Sequence, residues 1–154
     1  MKFKKSLEPI LSGVSAAFVI GVLAFLTLET PAGIWLMFSF GATVFIVFVL
    51  YNLETAQPKN IFFGHLLTSL TGIICLNFIP LPLYILIPFA VGLGVSLMIA
   101  LNVTHPPAGG NPVIVIIGSV SLDYLINPIL IGSIIILIFG IILNRLILKK
   151  KYPL

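Results

Sequence analysis

Five stretches of this chain, Ile10 to Leu28, Ile34 to Tyr51, Ile61 to Ile79, Leu83 to Leu101 and Pro128 to Leu148, run almost without charge, Arg145 being the only charged residue in any of them. Each is close to the roughly 20 apolar residues that a helix needs to cross the hydrocarbon of a bilayer. Only 8% of the 154 residues are charged, against about 25% in an ordinary soluble domain, so the chain has too little charge to clothe a water-exposed surface. The pattern predicts an all-α membrane protein in contact with the lipid bilayer over most of its surface, and it leaves room for one domain across residues 1–154. The formal charge of +4 does not point to nucleic acid, because the basic residues flank the apolar runs instead of lining one face of a polar element. The lone Cys75 excludes a disulfide within the chain and reads as a small buried hydrophobe. Met1 to Lys5 followed by an apolar run looks like a secretory signal, but the run is long and ends in no small-residue cleavage site, so an uncleaved first span is expected.

The stretch Asn102 to Leu122 is the ambiguous one, since by hydropathy it reads as a loop, a re-entrant segment or a broken span. Charge placement decides. The basic residues are Lys2, Lys4, Lys5, Lys59, Arg145, Lys149, Lys150 and Lys151. If the ambiguous stretch crosses, all of them fall on one side; if it does not, the C-terminal group moves to the side opposite Lys2, Lys4 and Lys5. The preference of Lys and Arg for cytoplasmic flanks therefore predicts six transmembrane helices, both termini cytoplasmic, and a multi-pass protein of the cell (plasma) membrane.

A shift of 68 residues lays Gly41 on Gly109, Gly64 on Gly132 and Gly72 on Gly140 without a gap, and carries Ile73-Ile74 onto Ile141-Ile142. Two halves of three spans each, about 10–79 and 83–148, would be inverted relative to each other, an architecture common among secondary transporters. Rows of small residues, Gly13, Ala17 and Gly21 in the first span and Gly92, Ser96 and Ala100 in the fourth, suit close helix packing within the bundle or across a homodimer or higher oligomer. Their register does not follow the 68-residue shift.

Two matched segments, Ser39 to Thr43 and His105 to Pro112, are expected to interrupt spans two and five, because Pro removes a backbone donor and Gly exposes backbone at little steric cost. Broken helices facing each other near the midplane would aim freed N–H groups at a common point that suits a small anion. The alternative is that these residues only kink the helices. The candidate substrate-binding residues are His105, Gly109, Gly110 and Asn111 on one side and Ser39, Gly41 and Thr43 on the other. His65 is a candidate for a proton role and Lys59 and Asn60 for an entry role, each also readable as an ordinary residue at a span boundary. His105, abutting the break, is the better candidate of the two histidines for a titratable group at membrane depth. No phosphate-binding GxxxxGK[ST], HExxH, cysteine cluster or GxSxG element is present, so the chain is expected to be neither an enzyme nor a carrier of a cofactor or metal.

His105-Pro106-Pro107-Ala108-Gly109, together with Ser39-Phe40-Gly41-Ala42-Thr43 and with Gln57-Pro58-Lys59-Asn60 followed by Gly64-His65, resembles the HPP family of integral membrane proteins in the order and spacing of three elements. The departure is Gly110-Asn111-Pro112, where that family usually continues with an Ala-Thr-Ala type run. The resemblance implies transport of a small inorganic anion, nitrite being the leading candidate. The competing expectation is a non-transporting membrane module that serves assembly or sensing.

Overall fold

The computed structural model describes residues 2–31 and 33–154, with side chains from Leu7 onward. The side chains of Lys2, Lys4 and Lys5, which carry the N-terminal part of the charge argument, lie outside the described residues. Six α-helices and no strand are found among the described residues: α1 (Lys2–Leu28), α2 (Phe38–Val49), α3 (Pro58–Phe78), α4 (Leu83–Ala100), α5 (Asn111–Gly118) and α6 (Ile131–Leu146). Short 3-10 turns at Glu54–Ala56 and Pro106–Gly110 precede α3 and α5, and a wider helical turn at Leu125–Leu130, kinked at Asn127, leads into α6. Four helical stretches, Leu7–Leu28, Pro58–Phe78, Leu83–Ala100 and Leu125–Leu146, are long and apolar enough to cross a membrane, while Phe38–Val49 is apolar but shorter.

The irregular backbone of the second expected span does not fall where the sequence suggested. Ser39 to Thr43 form regular helix at the start of α2, and the non-helical backbone lies just before them, ending at the extended Met37 (φ −133°, ψ 156°). The reason is local. A lone Gly41 costs a helix only about 1 kcal/mol, whereas Pro31 and the left-handed Gly33 (φ 98°) stop helix formation earlier. The freed amides of Trp35 and Leu36 both donate to Thr27 Oγ1 of α1, at 2.9 and 3.0 Å, so this backbone is satisfied by protein. Of HPPAGGNP, His105 is extended, Pro106–Gly110 form a 3-10 turn, and Asn111 and Pro112 already begin α5.

One apolar cluster joins α1, α2, α6 and the C-terminal tail through Val19, Leu23, Phe40, Val47, Phe48, Ile136 and Tyr152; another joins α3, α4 and α5 through Cys75, Leu86, Ala90 and Ile116. Because lipid is as apolar as leucine, such contacts hold helices together by close packing and interhelical hydrogen bonds rather than by exclusion of water. Glycines supply the close approaches. A Cβ on Gly64 would stand 3.1 Å from the Val103 carbonyl and 2.8 Å from His105 Cβ; one on Gly132 would stand 3.0 Å from the Trp35 carbonyl and 2.5 Å from the Phe40 ring. A Cβ on Gly72 would stand 2.9 Å from Pro112 Cα and 3.1 Å from Val115 Cβ, and one on Gly140 would stand 2.8 Å from Val47 Cγ1. Ile116 of α5 packs against Leu86 in the first turn of α4, so the stretch after Asn102 runs back along α4 towards the end where α4 began. Glu8 of α1 and the C-terminal tail meet at one face of the bundle, where Lys150 Nζ pairs with Glu8 at 3.0 Å and donates to the Phe48 carbonyl.

Candidate functional site

Between the two apolar clusters lies a set of polar side chains with almost no exposed surface: Ser39 and Thr43 from α2, His65, Thr68 and Ser69 from α3, His105 from the start of the 3-10 turn, and Asn111 from the first position of α5. Apolar periodicity places them. Ser39 and Thr43, and likewise His65 and Ser69, stand four residues apart on one helical face, while Pro106 and Pro107 hold the backbone extended at His105 until α5 can begin at Asn111.

Thr43 Oγ1 is the hub. It lies 2.9 Å from His65 Nε2, 3.0 Å from His105 Nε2 and 3.0 Å from the Ser39 carbonyl one turn back. The two imidazoles meet edge to face with centroids 4.9 Å apart, and Phe40 packs edge-on against the far side of His65. His105 Nδ1 donates to the Thr55 carbonyl at 2.7 Å. Asn111 Nδ2 reaches His65 Nδ1 at 3.1 Å and Ser69 Oγ at 3.0 Å. Two polar atoms of the cluster, Ser39 Oγ and Asn111 Oδ1, have no partner among the described residues. Buried polar atoms are seldom left so, and each marks a position where a small ligand or water would gain a hydrogen bond.

Of the candidate substrate residues, the structure brings together His105, Asn111, Ser39 and Thr43, and it adds His65 as a full member of the cluster. Gly41 is exposed, with nothing within 4 Å of a Cβ built on it, and lines a groove between α1 and α2 with Ser12, Gly13 and Val44. Gly109 is half-buried against Val95 and Gly110 is exposed, so neither joins the polar set. Asn60 is buried and holds the Thr104 carbonyl at 3.0 Å, bracing the extended residues before His105. Lys59 is exposed at the edge of an apolar groove with Phe63, Leu67 and Val103. Among the described residues no group of three or more His, Cys, Asp or Glu side chains could hold a metal ion. Sequence reasoning passed over Ser69 and Thr55. Ser69 was findable, standing one turn after His65 on the same face, whereas Thr55 contributes a backbone carbonyl and leaves no signature in residue type.

A family model described as the HPP transmembrane region matches residues 2–153. A transmembrane protein of Dictyostelium discoideum is 30% identical over 123 residues, covering 75% of this chain and 43% of its own length. A second transmembrane protein of the same organism is 26% identical over 150 residues, covering 93% of this chain and 48% of its own. The chain thus spans less than half the length of these curated relatives. No solved structure matches it.

Proposed function

The chain belongs to the HPP transmembrane family, and on that premise we propose that it carries a small inorganic anion across the membrane, nitrite being the leading candidate. The observation that carries the reading is the buried polar cluster around Thr43. Polar side chains at the heart of an apolar bundle are expensive, and in membrane proteins they mark substrate and proton pathways. With no Lys or Arg in the cluster, an anion would be held by hydroxyl, amide and imidazole groups, weakly enough to leave again.

The transport reading takes the chain as six crossings in two inverted halves. The glycine contacts support this, because under the 68-residue shift Gly64 against the Val103 carbonyl corresponds to Gly132 against the Trp35 carbonyl, and Gly72 against Val115 to Gly140 against Val47. Thr43 and Asn111 are likewise equivalent positions, and both stand in the cluster. The ion pair of Glu8 and Lys150 supports termini on one side, and the basic flanks support the cytoplasm of a cell membrane as that side. The exposed rows Gly13, Ala17, Gly21 and Gly92, Ser96, Ala100 support a homodimer or higher oligomer, which cross-linking in native membranes tests.

A second reading is favoured by one observation: most of the cluster's hydrogen-bonding groups already have partners inside the protein, as a structural clasp in a non-transporting membrane module would require. Uptake into proteoliposomes of purified protein, in a competition series of nitrite, nitrate, formate and chloride, separates the two. Saturable uptake with a preference among these anions supports transport. Uptake no faster than that of empty liposomes, with folded protein in the bilayer, rejects it.

A further inference from the structure

We propose that His65, Thr43 and His105 form a single-proton site, and that a monovalent anion crosses with that one proton and without net charge; the second half of this rests on the transport reading above. The hydrogens of the cluster have one consistent placement. The Thr55 carbonyl can only accept, so His105 Nδ1, 2.7 Å away, carries a hydrogen. In a neutral imidazole the other nitrogen then holds a lone pair, and the arrangement that pairs it has the Thr43 hydroxyl donating to His105 Nε2 across 3.0 Å in preference to its other acceptor, the Ser39 carbonyl. Thr43 Oγ1 is left to accept, which fixes His65 as the Nε2–H tautomer at 2.9 Å. His65 Nδ1 then accepts from the Asn111 amide at 3.1 Å. Every link is satisfied, and the chain runs in one direction from Asn111 to Thr55.

One more proton can be added without moving a heavy atom. It binds the lone pair of His105 Nε2, and the Thr43 hydroxyl turns to the Ser39 carbonyl, already 3.0 Å away, so that Thr43 Oγ1 accepts from both Nε2–H groups. A second proton has no such place: on His65 Nδ1 it would face the amide hydrogens of Asn111 until that amide turned to present Oδ1, and even then two imidazoliums would stand with centroids 4.9 Å apart. The groups touching the two rings are Phe40, Thr43, Asn111 and the Thr55 carbonyl, none of them charged; α4 and Leu125–Leu130, which also pack against α3, carry no charged residue, and α6 carries only Arg145, held by the Tyr152 carbonyl. Glu54 and Lys59, the nearest charged residues along the chain, are both exposed. The added charge is therefore buried without a counter-ion, a strongly disfavoured state. A monovalent anion removes that cost. Ser39 offers it a donor that is 8% exposed, has no partner among the described residues, and stands one turn before Thr43 on the same helical face.

Two measurements test this on the full-length protein. In the first, ¹⁵N NMR of the two histidines in reconstituted protein should show His65 as the Nε2–H form and His105 as the Nδ1–H form at alkaline pH, and only one imidazolium on acidification while the fold persists. Two imidazoliums in folded protein, or the opposite tautomers, overturn the single-proton site. In the second, nitrite uptake is followed together with lumenal pH and with current. The expected result is one proton per nitrite and no current, with Thr43→Val losing about tenfold of proton-coupled uptake, the worth of one hydrogen bond, and Thr43→Ser retaining it. Because Thr43→Val keeps the side-chain shape, its folding is checked by the NMR spectrum itself. Nitrite uptake that carries current or no proton overturns the coupling and leaves the transport reading standing. Absence of any anion uptake with the NMR pattern intact overturns the transport reading, and the coupling falls with it.

Discussion

The Tyr152 hydroxyl donates at 2.7 Å to the carbonyl of Ala56, 96 residues earlier in the chain and next to the Thr55 carbonyl that holds His105. The tail is pinned beside it by Arg145 Nε on the Tyr152 carbonyl at 2.7 Å and by the Leu154 amide on Gln57 Oε1 at 2.8 Å. The C-terminus thus holds the turn that holds the histidine.

Tyr152→Ala should cost about 3–5 kcal/mol, as for other large buried aromatics, and Tyr152→Phe about 1 kcal/mol for the lost hydrogen bond. Burial pushes the Tyr152 phenol above its ordinary value. Because the neutral form is the one the fold favours, its contribution is complete below the unfolded value of about 10 and is lost as pH rises through the higher folded value. Thermal unfolding in detergent across alkaline pH checks this. The Tyr152→Phe protein should lack this alkaline loss, and identical profiles for the two proteins would contradict it.

Gly64→Ala and Gly132→Ala should each destabilise by about 1–3 kcal/mol, since the new methyl would sit within 3.1 Å of a backbone carbonyl in either half. Gly41→Ala and Gly92→Ala meet nothing within 4 Å, and helix propensity alone should make them neutral or slightly stabilising. Denaturation of the four variants side by side measures the contrast. Equal effects at all four positions would show that these contacts do not hold the halves together.

How far residue pattern reaches is clear from these positions. The membrane class and the long helices were readable because an apolar run of sufficient length has few other fates. Gly64, Gly72, Gly132 and Gly140, which the 68-residue shift singled out, all stand where an added Cβ would crowd a neighbour, as a position that leaves room only for glycine must. Gly41 and Gly109 matched under the same shift but lie outside the polar cluster, since a glycine aligned with a break need not line a site. His65 looked like a boundary residue because hydropathy gives depth and not facing, and only the packing of α2 on α3 brings it to Thr43. The break assigned to Ser39–Thr43 moved to the residues before it because Thr27, on another helix, supplies the acceptor for their amides.

Asn60 and Lys59, adjacent in sequence, should separate by effect. Asn60→Ala strips the Thr104 carbonyl of a buried donor and should cost about 1–3 kcal/mol of stability. Lys59→Gln changes an exposed side chain and should stay within about 0.5 kcal/mol, while lowering anion uptake at low salt if it serves as an entry charge. Uptake and unfolding measured on both proteins decide the matter, and an unchanged uptake in Lys59→Gln at every ionic strength would remove Lys59 from the pathway.

Single cysteines at positions 4 and 151, in a Cys75→Ser background, should react with an impermeant maleimide from the same side of the membrane, the cytoplasmic one. Glu8 and Lys150 already stand 3.0 Å apart at that end. Labelling of the two positions from opposite sides would break both the six-crossing reading and the inverted halves.

The exchanged glycine contacts bear on how the chain is made. Gly64 waits for Val103 and His105, and Gly132 packs on Trp35 and Phe40, so segments far apart in sequence interlock. While the ribosome is still short of residue 105, Thr43 and His65 can pair across helices only with each other, and His65 Nδ1 lacks the Asn111 amide, a cost in lipid that the later residues remove. A chain truncated after Phe78 should therefore accumulate in the membrane to a lower level than the whole chain, because the residues that fill its close contacts and pair its buried polar atoms all lie beyond the cut.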